Sequence, residues 1–269
     1  MNLLFTEPFK PRKPFHRDLI ALWTILYKEV YRFMRIWPQT VLPAAVTTSL
    51  YFLIFGSLIG QRVGSMRGLP YMDYIVPGVA LMTIITNSYS NVVSSFYSSK
   101  FQRNIEELLT SPVPNWVILT GYVGGGVARG LAVGSVVVAI GSFFSNIQFL
   151  HLGVVIAVFL LTATLFALAG FINAIFANSF DDISIIPNFI LTPLVYLGGV
   201  FYSIDMLPSF WQKVSLFNPI LHMVNAFRFG FLGISDIDVV LALEVCSGCV
   251  LGLGTLALFL LHRGVGLKS

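Results

Sequence analysis

Charged residues are absent from six long stretches of this chain: 39–60, 74–99, 130–147, 152–180, 183–202 and 245–261 contain no Asp, Glu, Lys or Arg. A hydrocarbon layer of roughly 30 Å takes about 20 apolar helical residues to cross, and a charge near its centre costs a few kcal/mol. The pattern therefore predicts an all-α polytopic membrane protein with six transmembrane helices. Their expected bounds are about 39–60, 74–99, 117–146, 152–177, 183–203 and 239–262, within a single transmembrane domain covering 1–269.

Three other segments have a different pattern. In 17–37, Leu19, Leu22, Trp23, Leu26, Val30, Phe33 and Trp37 recur at helical spacing, with Arg17, Lys28, Arg32 and Arg35 along the opposite side. This predicts an amphipathic helix on the cytoplasmic face of the bilayer. It reads either as a lipid anchor or as a platform for a soluble partner, and Glu29 favours the platform because anionic lipid gives a carboxylate nothing. Residues 100–112 form the most polar link between spans and predict a short helix stopped by Pro112. Arg103 and Glu107 are spaced to pair, Glu106 adds charge, and Phe101, Ile105, Leu108 and Leu109 make an apolar side. Between spans five and six, 203–238 carries Phe210, Trp211, Phe217, Phe227 and Phe229, which predicts short extracytoplasmic helices at the membrane interface.

Charge sets the orientation. The net charge is +4, but seven of the sixteen basic residues precede the first span, where the positive-inside rule accounts for them without nucleic acid. With both termini cytoplasmic, eleven basic residues lie inside, only Arg62, Arg67, Lys213 and Arg228 lie outside, and Arg129 is left within the third span. The basic opening, broken by Pro8, Pro11 and Pro14, is not the apolar core of a secretory leader.

Candidate chemistry is sparse. Gly126, Gly130 and Gly134 recur every fourth residue, which predicts a helix face that another helix approaches closely. Arg129 beside them either reaches for the nearer head groups or faces a pathway. The glycine-rich run 121–130 matches no phosphate-binding loop. Cys246 and Cys249 read as small packing residues rather than a redox pair, and His16, His151, His222 and His262 are scattered, so no metal or catalytic group is expected. A secondary transporter would carry ionisable groups or paired broken helices at mid-membrane; Glu244 and the prolines 187 and 193 are a weak match.

Span five and the loop after it carry Leu191, Leu194, Leu197, Gly198, Val200, Leu207, Pro208, Pro219, Ile220, His222 and Arg228. In these residues the chain resembles the integral membrane permeases of ABC-2 type exporters, and the resemblance covers nearly its whole length. It implies a homodimeric permease of the bacterial inner membrane that binds two copies of a separate ATPase, with ATP and Mg held by that partner and no cofactor in this chain. It further implies that 17–37 is an interface helix, 100–112 a coupling helix, Asp181 and Asp182 a second cytoplasmic contact, and 203–238 the outer closure. The alternatives are a passive channel or membrane scaffold, then an ATPase-coupled importer. Tyr89, Phe96 and Tyr196 are aromatic candidates for the pathway, with ordinary helix packing as the competing reading.

Overall fold

The computed structural model describes residues 14–266, so the basic residues 10, 12, 13 and 268 lie outside the described part. In chain order, α1 (Pro14–Arg35) and α2 (Trp37–Tyr51) are followed by a π-helical stretch Phe52–Ile59 and the short α3 (Gly60–Val63). A small hairpin, β1 (Ser65–Met66) and β2 (Leu69–Pro70), leads into α4 (Tyr71–Phe101). Next come α5 (Asn104–Thr110), α6 (Asn115–Phe144) and α7 (Leu152–Phe176). The chain then forms α8 (Asp182–Ile186), a second π-helical stretch Pro187–Leu191 and α9 (Thr192–Leu197). After the 3-10 turn Ile204–Met206 come α10 (Ser209–Leu216), α11 (Pro219–Leu232) and α12 (Val239–Arg263).

Among the described residues, four helices are both long and apolar enough to cross a bilayer: Trp37–Gly56, Asn115–Phe144, Leu152–Phe176 and Val239–Arg263. The protein is thus a multi-pass, mainly helical membrane protein. At 1.5 Å per residue α4 is about 45 Å long, yet its Thr, Ser and Asn residues lower its hydropathy. It is the central helix, packed against α6 and α7, and protein neighbours rather than lipid receive much of that polarity. The fifth apolar run differs from expectation: helix ends at Leu197 rather than near 203, because Gly198 and Gly199 turn the chain and Gly199 has a φ of 70°. Pro187, which has no N–H to donate, falls at the start of the π-helical stretch that distorts this run.

The amphipathic helix also differs. Helix α1 stops at Arg35, so Trp37 belongs to α2. Helix α1 runs beside α6: β-carbons added at Gly121 and Gly124 would fall 2.6 Å from Ile25 Cγ2 and 2.7 Å from Leu26 Cδ1. Gly125 in the same way lies under Glu29. Its outward face carries Leu19, Trp23, Tyr27, Tyr31 and Met34, and the two tyrosine rings stack at 6.0 Å.

The glycines 126, 130 and 134 face the other side of α6. They lie against Val92, Ser88 and Ile84 of α4, with Ala167 and Phe159 of α7 alongside. Helix α6 is thus grooved on two sides, and three helices meet it at backbone distance.

Helix α11 is deeply packed. Its Asn218 cap accepts a hydrogen bond from the Ile220 N–H at 3.0 Å, and Pro219 begins the helix where no donor is needed. Ile220, Met223, Val224, Phe227 and Phe231 are buried in a helix that packs on α4, α7 and α12, whereas Phe210, Trp211 and Phe217 are exposed.

Candidate functional site

The segment 100–112 is not one helix. Helix α4 ends at Phe101, Arg103 takes the left-handed conformation with φ 60°, and α5 starts at Asn104. That break overturns the expected Arg103–Glu107 pairing, which requires both residues on one helix, and among the described residues Arg103 has no ion-pair partner. Ile105 anchors α5 in the core, and Leu108 and Leu109 are half-buried. Arg103, Asn104, Glu106 and Glu107 form an exposed polar surface.

Phe101 is exposed rather than part of the buried side, and its ring meets Phe180 edge-on at 5.2 Å. Phe180 also packs edge-on to Tyr97 at 4.9 Å. The aromatic contact joins the turn before α8 to the end of α4, so the two cytoplasmic segments expected from sequence share one surface. Asp181 is exposed there. Asp182 instead builds the turn: its carboxylate accepts from the N–H groups of Asn178 at 2.9 Å and Ser179 at 3.1 Å. Chiefly the Asn178 bond, then those from Ser179, holds the Asp182 carboxyl below its usual range. Lys100 closes the neighbouring helix end by donating to the carbonyls of Ile175 at 2.7 Å and Ala177 at 2.8 Å, and burial lowers its pKa.

Glu29 cannot serve as an exposed docking contact, because its side chain is 0% exposed. It accepts from Ser95 Oγ at 2.7 Å and from Arg32 Nη2 at 3.2 Å, and Arg32 also donates to Asn91 Oδ1 at 2.8 Å and the Asn91 carbonyl at 3.0 Å. Burial in protein forces this arrangement, since an unpaired carboxylate there would be costly. The network ties α1 to α4 and was not legible from the helical pattern of α1 alone. The available signal was the cluster Gly121, Gly124 and Gly125 opposite a helix bearing Asn91 and Ser95.

Between α2 and α4 runs a groove of about 310 Å³, reached also by Arg129 of α6. Thr47 and Thr48 contribute from α2, and Thr83, Thr86, Asn87 and Ser90 from α4. These α4 positions form one helical stripe, a sequence signal of a polar-lined face inside an otherwise apolar run. Tyr196 is exposed, but Tyr89 and Phe96 are buried in helix packing: Tyr89 accepts from Asn173 Nδ2 at 2.7 Å, and Phe96 lies 4.3 Å from the Phe171 ring.

At the end of the bundle opposite α5, the signature residues make a packed junction. Gly198 faces Ile220, the half-buried Leu197 precedes the turn, and exposed Pro208 stands just before α10. His222 Nε2 lies 2.9 Å from the Leu216 carbonyl. Arg228 is 1% exposed, places its guanidinium carbon 3.7 Å over the Tyr74 ring, and donates to the Gly199 carbonyl at 2.8 Å. A cation thus stabilises the turn at Gly199 through a hydrogen bond and a ring face.

Known proteins are similar to this chain in sequence. A model of the family described as ABC-2 type transporter matches residues 20–232. The inner membrane transport permease YadH of Escherichia coli strain K12 is 54% identical over 255 residues, covering 94% of this chain and 99% of that protein. Nodulation protein J of Rhizobium leguminosarum bv. trifolii is 24% identical over 191 residues, 71% of this chain and 73% of its own. Nodulation protein J of Sinorhizobium fredii strain NBRC 101917 / NGR234 is 25% identical over 186 residues, 69% and 70% of the two chains. With a family match over most of its length and a relative this similar end to end, the chain belongs to the ABC-2 type transporter family.

Proposed function

We propose that this protein is the transmembrane permease subunit of an ATP-driven exporter, working as a homodimer with two copies of a separate ATPase that binds ATP and Mg. The bacterial inner membrane is its location, on the pattern of the YadH relative named for that membrane. In this reading α2, α4, α6, α7, α8–α9 and α12 make six crossings, and the α5 end and both termini are cytoplasmic. Short α8–α9 completes its crossing with help from the packed turn at Gly198 and Gly199.

One observation carries the reading: α5 presents Arg103, Asn104, Glu106 and Glu107 outward while Ile105 roots it in the core beside α4, and Phe101 and Phe180 bring the Asp181 turn alongside. A short helix packed beside the central α4 can pass a push from a soluble partner to the groove wall. Work on the groove requires that the partner bind one conformation better than the other, which the ATPase's nucleotide state supplies.

The test is co-purification of the permease with its candidate ATPase, together with ATP hydrolysis, for wild type and Glu107→Arg. Reversal of this charge is expected to abolish coupling of hydrolysis to transport. Unchanged binding and unchanged coupled hydrolysis would show that α5 is a solvated connector.

A further inference from the structure

Apart from the groove at Arg129, a cleft of about 350 Å³ lies among α7, α9, the start of α11 and α12. Its chemistry is the reverse of that groove's. Leu165 and Phe166 of α7, Leu194 of α9, Ile220 of α11 and Leu253 of α12 line it, and the Cys249 thiol is the one side-chain heteroatom on the lining.

The backbone offers the cleft nothing polar either. The turn before α11 is where unpaired groups are expected, yet Pro219 has no N–H, and the Asn218 side chain accepts from the Ile220 N–H at 3.0 Å and donates to the Leu194 carbonyl at 2.6 Å. The Asn218 N–H goes to the Ser215 carbonyl at 2.9 Å. A buried water needs about two to four polar partners, which this lining does not offer.

The cleft lies at mid-membrane depth and opens toward lipid. Cys249 to Leu253 stand about 17–23 Å along α12, near the middle of a helix able to span, and Leu165 to Ala169 stand near the middle of α7, another such helix. On the α12 side the wall is incomplete, since β-carbons added at Gly248 and Gly252 would meet nothing within 4 Å. Leu251 and Phe259, on the same face of α12, are exposed, so the cleft continues the surface that this helix turns to the bilayer.

Size decides between apolar occupants. One turn of helix about 10 Å across and 5.4 Å long fills roughly 400 Å³, more than the whole cleft, so a span of another protein cannot enter it. An unbranched hydrocarbon chain can. Left empty, the cleft would deprive its lining of contacts, and in lipid such packing is what holds helices together.

We propose that the cleft holds one acyl chain of a bilayer phospholipid, which wedges α7 and α12 against the junction of α9 with α11. At that junction Ile220 lies against Gly198, and Asn218 ties α11 to α9. The chain thereby supports the apolar helix Asp182–Leu197, which is shorter than the four spanning helices. This assignment rests on the membrane reading and not on the exporter reading.

For the test, full-length permease is reconstituted with phosphatidylcholine bearing a diazirine near the methyl end of one acyl chain, re-extracted in dodecyl maltoside, washed and irradiated. Adducts are mapped by mass spectrometry. Those on Phe166, Leu194 and Leu253 are expected to stay within twofold of their level in the bilayer. Those on exposed Leu251 and Phe259 should fall at least tenfold, as lipid that merely surrounds the protein is washed away. Ala169→Phe fills the cleft from α7 and should lose the cleft adducts at least fivefold. Unchanged labelling of its Leu251 and Phe259 in the bilayer shows that this variant is folded. Gly252→Phe, entering from the open side, should behave alike and serves if the first variant misfolds. The unfolding midpoint of delipidated wild type should rise by several degrees on adding dioleoylphosphatidylcholine, and that of the filled variants should not.

Cleft adducts that wash out together with those on Leu251 and Phe259, or that persist in a folded filled variant, overturn the site. A diazirine on the head group that marks the cleft as strongly as one at the chain end overturns the assignment to an acyl chain. An oligomer that dissociates in Gly252→Phe, with no lipid adduct in the wild-type cleft, would give the opening to a second copy and overturn it too.

Discussion

Glu29 and Arg32 illustrate how a membrane alters the meaning of a polar residue. On a helix facing water they would be a weak i,i+3 pair, but here Glu29 is fully buried and Arg32 is 29% exposed. Removing Arg32 strands a carboxylate, at a cost of about 3 kcal/mol, the low end for breaking a buried pair. Arg32→Ala is therefore expected to lower the thermal unfolding midpoint in detergent markedly. Glu29→Leu combined with Arg32→Ala should recover much of the loss, because the uncompensated charge is gone, and a double-mutant cycle measures this directly. Asp182 gives a second test at this scale. Its folded-state pKa is depressed, so the stability it adds is present above the ordinary carboxylate value of about 3.9 and is lost as pH falls through the lower folded value. Amide exchange at Asn178 and Ser179, corrected for intrinsic rate, should stay protected from neutral pH down to that range. Asp182→Ala should lack the protection throughout.

Among the elements, the apolar runs were legible because a bilayer demands length and apolarity together. Helices α6, α7 and α12 lie close to the expected bounds. What the pattern could not show was which side of a helix meets protein. In water the apolar stripe points inward; in lipid both surroundings are apolar, and helix association relies on close packing and hydrogen bonds. Helix α1 accordingly turns Trp23, Tyr27 and Met34 outward and Glu29 inward. The same reasoning explains α11, within the stretch whose aromatic residues suggested interfacial helices: Phe227 is buried there together with His222, Asn225 and Arg228. The segment 100–112 was legible as a separate polar element, but not its break at Arg103, since a left-handed residue other than Gly, Asn or Asp gives little advance sign. The two faces of α6 can be separated by experiment. Gly125→Leu should dislodge α1 and open Lys28 and Arg32 to trypsin while the rest of the bundle holds. Gly130→Leu should drive α6 from α4 and lower the yield of folded protein as a whole. Equal trypsin patterns in the two variants would mean that α1 is not an independently detachable element.

Across the molecule, the end opposite α5 is fastened by Arg67 as well as by the buried Arg228. The hairpin turn places Arg67 at φ 50° and Gly68 at φ 80°, the conformation of a two-residue turn that matches strand twist. Arg67 thereby reaches two carboxylates of the later loop: Asp205, whose side chain is 66% exposed, and Asp236, 2% exposed, at 2.9 Å from Arg67 Nε. Asp236 also accepts from Ser203 Oγ at 3.1 Å and the Ile204 N–H at 3.3 Å, and its own N–H donates to Asn225 on α11. This clasp unites the start of α4 with the α9–α11 region, while α1 is tied to α4 lower down through Glu29 and Arg32. Helix α2 lies outside both ties: it packs on α6 across Arg129's groove, holds Pro43 within it, and passes into π-helix at Phe52. The two acids of the clasp should then differ sharply. An exposed pair contributes under about 1 kcal/mol, so Asp205→Asn should leave the unfolding midpoint nearly unchanged. Asp236→Leu leaves the Ser203 and Ile204 donors without their acceptor and Arg67 with Asp205 alone, at about 1–3 kcal/mol for each donor that stays buried, and should lower the midpoint by several degrees. If the two variants melt alike, the buried carboxylate is not what joins α4 to the outer loop.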